Sequence, residues 1–370
     1  MKLYLIGNYS LLGTKSMYLY ANILKKLLNK NYNVEILQPK ILFNKFNFRN
    51  QFIKKWLGYI DNYILFGLYL YFKINKSDLV HICDHANSPL FPFINTRKLM
   101  ITCNDVSSIE LIKNEYLKKF TKISFTGKIH QKIILFYLNK FKTIICISEN
   151  TKFELLKLIN STKKNIEAIH MPFNDNFYAL NNKEKIKFKY NKKIDFKFFL
   201  HVGVDAWYKN KINLVKIFNE LIKIQRRKDF KLILIGNTVS DELRLCVERF
   251  KLENKVIFVQ NISLRELRSY YSIAEALVFP SIREGFGWPI IEAQKCGCPV
   301  FTTNKGPMNE LGLDTVFYID PIKPKISSKI IDKKLLSKEV IINKGFKNVK
   351  RFSSKIFLGK MRNIYNKISN

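Results

Sequence analysis

The sequence predicts an α/β protein of two successive domains, each a parallel sheet covered by helices on both faces. Three observations predict it. Short β-rich runs alternate with helical patterns along the chain, as they do where parallel strands are joined by crossover helices. The alternation halts at a polar, Lys-rich segment over 181–195 (NNKEKIKFKYNKKID) and then restarts. The 370 residues suffice for two domains of ordinary size, each with its own core.

In the first half, Lys2–Ile6 reads as a strand. Ser16 is placed to cap the next helix, whose apolar face is Tyr20, Leu24, Leu27 and Leu28. Asn31-Tyr32-Asn33 turns into a strand over Val34–Leu37, and further strands are expected at Asp78–Ile82, Lys98–Cys103, Lys142–Ile147 and Ile166–Met171. These make a Rossmann-like domain over 1–180, with 181–195 as linker. A second such domain, 196–335, has strands at Phe198–Val202, Lys231–Ile235, Val256–Val259, Ala276–Pro280, Pro299–Thr303 and Val316–Ile319. Its helices include Leu214–Arg227 and Leu264–Ile273, and an amphipathic helical segment over 336–370 follows, whose helix around Ser354–Lys367 is expected to cross back to the first domain. Two such domains facing each other set the carboxyl ends of both sheets on a shared cleft, where open α/β sheets take their ligands.

The formal net charge is +35. The abundance of Lys, Asn and Ile is what an AT-rich genome favours, and the charge equally suits a polyanionic partner: nucleic acid, anionic lipid or a phosphorylated substrate. No nucleic-acid motif accompanies the charge. The six cysteines are scattered through apolar runs, without the spacing of a zinc or redox site, and read as buried thiols of a cytoplasmic protein. The apolar run at the N-terminus is too short for a signal peptide. Trp56–Phe72 is the greasiest stretch, but Asp61 and Asn62 interrupt it, so it reads as a buried or interfacial helix and not as a span.

The most specific segment is Glu284-Gly285-Phe286-Gly287-Trp288-Pro289-Ile290-Ile291-Glu292. A strand ends at Pro280, a glycine loop follows, and Pro289 stands at the first helical position with Gly297 as the stop. Backbone N–H groups of such a loop and the helix N-terminus donate to anionic oxygens. Glu292 in the first turn is within reach of a ribose, and Glu284 can meet a sugar ring. A second constellation is His201-Val202-Gly203 followed by Lys209-Asn210, a strand end with a cation a few residues on.

These two segments resemble the two-glutamate motif and the phosphate-binding segment of glycosyltransferase family 4, the group 1 glycosyltransferases. The neighbouring Ala276-Leu277-Val278-Phe279-Pro280-Ser281, Ala293, Gly297 and Pro299-Val300 match as well. The resemblance implies a GT-B fold and a retaining, hexosyltransferase-type enzyme using a nucleotide-diphosphate sugar. It implies that Glu284 contacts the transferred sugar, Glu292 the ribose and Lys209 the diphosphate, with Gly203, Gly285, Phe286 and Gly287 lining the donor site. In the first half, Gly13 lies in the loop after the first strand, where relatives admit the diphosphate. His85 follows the third strand, and Asn104 stands where relatives carry a histidine that contacts the sugar. Relatives also carry an arginine where this chain has Val204. The segment Ile144–Thr151 matches a signature whose role is structural.

No Asp-x-Asp pair is present, so metal-independent transfer is expected, with no cofactor. Expected partners are the donor, a glycan or lipid-linked acceptor and an anionic membrane surface, with no nucleic acid. The expected setting is the inner face of the cytoplasmic membrane, in O-antigen, capsule or lipopolysaccharide synthesis. Two other readings stay open: a GT-B nucleotide-sugar 2-epimerase, and a non-catalytic relative that binds sugar nucleotide.

Overall fold

The structure, a computed structural model, describes residues 2–9, 15–43, 51–112 and 124–369. It divides into two compact units, one of residues 1–171 with 354–370, the other of residues 172–353.

The first unit is built on a six-stranded sheet of β1 (Lys2–Ile6), β2 (Asn33–Leu37), β3 (Leu79–Ile82), β4 (Leu99–Cys103), β5 (Thr143–Cys146) and β6 (Asn165–Ala168), in the order β2-β1-β3-β4-β5-β6. All pairings are parallel, as the runs of apolar β-formers buried on both faces require. Leu3 of β1 pairs with Val34 on one side and Leu79 on the other. The winding therefore reverses between β1 and β3, which makes their carboxyl ends the switch point of this sheet. Ile6, Val80, Ile82, Ile101 and Ile144 pack with helical Leu70, Ile134 and Leu138 in its core.

Ser16 does not precede its helix. The helix runs Lys15–Leu28, so Ser16 is its second residue, and the expected face holds at buried Tyr20, Leu24 and Leu28, with Leu27 half-buried. The greasy stretch is two helices, Gln51–Tyr59 and Phe66–Lys73, joined through a π-helical turn at Ile60–Leu65. Its polar interruption is a buried latch: Asp61 accepts from the Tyr9 hydroxyl at 2.8 Å and from the backbone N–H groups of Leu42 and Phe43 at 3.2 and 3.0 Å. No helix among the described residues is long and apolar enough to cross a membrane.

The C-terminal helix Ser354–Ser369 belongs to this unit. Phe357, Met361, Ile364 and Tyr365 recur at helical spacing and form its buried face. The Tyr365 hydroxyl pairs with Nδ1 of His81 on β3 at 2.7 Å, and His81 Nε2 pairs with the Thr102 hydroxyl at 2.7 Å. Burial pushes the His81 imidazole down to about 3, so it sits in this network uncharged.

The second unit carries β7 (Phe198–Val202), β8 (Lys231–Ile235), β9 (Val256–Val259), β10 (Ala276–Phe279), β11 (Val300–Thr302) and β12 (Phe317–Tyr318), in the order β12-β11-β10-β7-β8-β9. Counted within the unit this is the 3-2-1-4-5-6 order of doubly wound dinucleotide-binding sheets, with the switch point between β7 and β10. Its core gathers Phe199, Leu232, Leu234, Val278 and Phe301 from the strands and Leu214, Phe218 and Val247 from the helices.

The segment 181–195 is not a linker. It holds the helix Asn182–Asn191, which lies within the second unit. The Asn181 side chain accepts from the Glu184 N–H at 2.9 Å, and the Glu184 carboxylate accepts from the Asn181 N–H at 3.0 Å. This capping box nucleates a helix that the Lys-rich composition disguises. Phe188 then packs edge-on against Tyr270 of the helix Leu264–Ile273, at 5.2 Å between ring centres. Of the 336–370 segment, the expected helix around Ser354–Lys367 belongs to the first unit, and what precedes it does not. The helix Lys338–Asn348 stays in the second unit, and the division falls between Ser353 and Ser354.

Candidate active site

In the second unit the expected residues converge at the switch point. β7 ends at Val202, and Gly203 follows it. A Cβ on Gly203 would lie 3.1 Å from Lys209 Cδ and Cε, so the missing side chain is what lets the lysine stem pass over this backbone. Lys209 closes a short turn, Trp207–Lys209, and Asn210 then takes a left-handed conformation (φ 57°). The Asn210 side chain donates to the carbonyl of Pro280 at 3.2 Å, tying the β7 loop to the β10 loop. His201, by contrast, is a core residue: its Nδ1 pairs with the Val278 carbonyl at 2.9 Å, its ring stacks on Phe279, and burial pushes it down to about 3.

Lys209 Nζ donates to Glu284 Oε1 at 2.7 Å. The ammonium also lies over the Phe279 ring, 4.9 Å from its centre. Glu284 opens the glycine loop between β10 and the helix Trp288–Lys295. Gly287 caps that helix with φ 104°, a conformation L side chains rarely adopt. Pro289 is the second helical residue, one place later than expected. The Phe286 ring is buried, edge-on to Trp288 at 5.1 Å and to Phe352 at 6.1 Å. It anchors the loop in the core. The helix ends as expected: Gly297 N–H bonds to Gln294 and Cys298 N–H to Ala293, a Schellman pattern.

Glu292 is the fifth residue of this helix and so begins its second turn, not its first. Burial pushes its carboxyl up to about 7. The Tyr271 hydroxyl, which donates to Oε2 at 2.9 Å, and the nearby Lys209 charge oppose that rise. A carboxyl of this kind exchanges readily between accepting from a hydroxyl and donating to one.

In the first unit His85 and Asn104 follow adjacent strands, β3 and β4. Both are buried. The His85 Nδ1 lies 3.2 Å from Asp84 Oδ1. Burial opposes the charged imidazole, but the Asp84 carboxylate outweighs it and holds His85 above its ordinary value. Asn104 donates to the Cys83 carbonyl at 3.4 Å, and its Oδ1 has no partner among the described residues. Gly13 lies outside the described residues. All six cysteines are free thiols.

Sequence reasoning passed over three residues. Tyr271 was invisible because its hydroxyl reaches Glu292 from another helix. Lys211 was one lysine among many, yet it is buried. Gly236 follows β8, and a Cβ there would lie 2.3 Å from the Gly203 carbonyl oxygen. A glycine directly after a strand was the available signal.

Residues 182–347 match the family model described as glycosyl transferases group 1. This stretch of the chain is similar to the group 1 glycosyltransferases. The O-antigen chain mannosyltransferase RfbU of Salmonella typhimurium is 27% identical over 60% of this chain and 61% of its own length. The capsular polysaccharide biosynthesis glycosyltransferase CapM of Staphylococcus aureus is 28% identical over 60% of this chain and 61% of its own. The matches thus span about three-fifths of such curated relatives. Among solved structures, sucrose-phosphate synthase from Thermosynechococcus elongatus is similar with a TM-score of 0.73 at 18% identity, covering 100% of this chain and 99% of that one. Anabaena Alr3699/HepE, solved with UDP and glucose, has a TM-score of 0.72 at 17% identity, covering 98% of each chain. The fold of this chain is therefore GT-B.

Proposed function

We propose that the chain is a retaining glycosyltransferase that moves a sugar from a nucleoside-diphosphate sugar to a glycan or lipid-linked acceptor during synthesis of a bacterial surface polysaccharide. The observation that carries this reading is the Lys209–Glu284 pair at the β7/β10 switch point, with Glu292 one helix turn beyond the glycine loop. The names of RfbU and CapM support the polysaccharide setting.

In this mechanism the donor diphosphate displaces Glu284 from Lys209. The ammonium then faces the leaving group, where negative charge accumulates and a preorganised cation contributes most. Glu284, released, accepts hydrogen bonds from the sugar and holds its orientation. Glu292 takes the ribose hydroxyls. The acceptor oxygen bonds to the anomeric carbon on the face the diphosphate leaves. The C–O bond to the diphosphate breaks with its electron pair going to phosphate, and the acceptor proton passes to that departing oxygen. Lys209 and backbone N–H groups supply the charge compensation, so turnover is proposed to be independent of metal.

The proposed location is the inner membrane face. Trp56, Ile64, Leu68, Tyr69, Tyr71 and Phe72 are exposed along one stretch, and Phe72 is 82% exposed. With a net charge of +35 this suits an anionic surface. A non-catalytic sugar-nucleotide binder is the second reading, favoured by Val204 and by the unpaired Asn104 Oδ1. A thermal-shift panel of UDP-, GDP- and ADP-sugars, followed by acceptor trials on the donor that binds, separates binding from transfer.

A further inference from the structure

Three cationic side chains of the second unit are buried: Lys209, Lys211 and Arg227. Lys209 has Glu284, and Arg227 has Asp332 at 2.9 Å. Lys211 has neither an ion pair nor a hydrogen bond to its ammonium among the described residues, although it is only 4% exposed. A cation so largely withdrawn from water without a direct partner opposes folding, and its presence calls for a compensating role.

The position of the ammonium suggests that role. Lys211 opens the helix Lys211–Ile222, and its Nζ lies 3.3 Å from where a Cβ on Gly236 would stand. Gly236 and Gly203 end the adjacent strands β8 and β7, and the lack of a side chain at each leaves room for a lysine head. Two cations are thereby gathered at the carboxyl end of the sheet, and Glu284 is ion-paired with Lys209. Both weigh on buried His201, and burial, with Lys209 adding to it and the Asp205 carboxylate opposing it, holds Lys211 below its ordinary value. Val204, directly after Gly203, contributes no charge.

We propose that Lys211 is a second phosphate-binding cation, completing with Lys209 a site for the diphosphate of the donor. This rests on the nucleotide-sugar reading above. Asp205 acts on Lys211 without an ion pair to it, so the diphosphate is the direct counter-charge that the described residues do not provide. Lys209 exchanges a carboxylate for phosphate, whereas Lys211 meets phosphate with no bond to break.

The experiment titrates wild type, Lys211→Met, Lys211→Gln and Lys211→Arg with the tightest-binding nucleoside diphosphate, the matching nucleoside and inorganic diphosphate, and measures the melting temperature of each protein without ligand. The Met and Gln variants are expected to bind the nucleoside diphosphate about 10- to 100-fold more weakly, the range of a lost charged hydrogen bond. They should bind the nucleoside as wild type does, and melt a few degrees higher, since the unpaired charge is gone. The Arg variant should stay within about threefold of wild type. Inorganic diphosphate should follow the nucleoside diphosphate. Nucleoside diphosphate binding unchanged in both neutral variants overturns the proposal alone. So does an equal loss for nucleoside and nucleoside diphosphate, which marks a structural role. A wild type that binds no nucleoside diphosphate overturns both the proposal and the reading beneath it.

Discussion

Lys209 Nζ and Glu284 Oε1 stand 2.7 Å apart, with their side chains 11% and 10% exposed. The free site is thus closed by its own ion pair, and water screens that pair little. A donor phosphate has to compete with Glu284 for the lysine. Glu284→Ala is therefore expected to tighten nucleoside diphosphate binding by about threefold to tenfold while lowering turnover. Lys209→Ala should weaken that binding and lower kcat by about 10²–10³-fold, the scale of one lost preorganised donor. Calorimetric titration of both variants beside steady-state kinetics checks the opposite signs. If both variants turn over like wild type, the pair is not part of the machinery.

Glu292 titrates near 7 in the fold against an ordinary carboxyl value of 4.5. The sign follows: below pH 4.5 it is protonated in both states, and between 4.5 and 7 the folded state holds the extra proton. Stability is then lost as pH rises through that window, by on the order of 3 kcal/mol in full. Glu292→Gln should melt higher than wild type above pH 7 and lose that advantage by pH 4. Glu292→Ala should cost roughly 1.5–3 kcal/mol of nucleotide binding, equally for the diphosphate and the sugar donor. Melting curves across pH test the first claim, and titrations the second.

His81 and His201 are held neutral at about 3 by burial, against 6.5 when unfolded. Their contribution is present above pH 6.5 and is lost as pH falls toward 3, because the unfolded chain gains protons first. Each adds about 1.4 kcal/mol per pH unit to the slope of acid unfolding. His81→Gln and His201→Gln, measured by urea titration at several pH values, should each flatten the slope by that amount. An unchanged slope in both contradicts the neutral assignment.

The exposed aromatic stretch makes a membrane prediction. Wild type should bind anionic vesicles at low salt and release them at high salt, since each basic residue near the surface contributes on the order of 1 kcal/mol. Tyr71→Ser with Phe72→Ser should weaken that binding without changing affinity for nucleotide. Indifference of the wild type to such vesicles removes the membrane from the account.

The sheets were legible in the sequence because buried parallel strands carry unbroken apolar runs: all the expected strand positions hold, most within a residue or two at each end. Glu284 and Glu292 were legible because glycine and proline mark the loop between them, and Lys209 because it follows a strand that runs into Gly203. What escaped depended on long-range partners. The polar 181–195 segment is a helix because Asn181 and Glu184 cap each other and Phe188 finds Tyr270. The charge of Lys211 became notable only once its burial was seen, and Tyr271 only once its hydroxyl met Glu292. Asp61 looked like a break in an apolar helix, and it is a buried acceptor for Tyr9 and two backbone N–H groups.

The most direct test is a transfer assay. The nucleotide sugar that binds is supplied with and without lipid-linked glycan acceptors, with and without EDTA, to wild type and Lys209→Ala. Released nucleoside diphosphate is counted against new glycoside, whose anomeric configuration is read by NMR. The account predicts release only with acceptor, matched one to one by a glycoside of retained configuration, insensitive to EDTA and largely lost in Lys209→Ala. Nucleotide release without acceptor, an inverted product, or donor binding that never leads to turnover contradicts it.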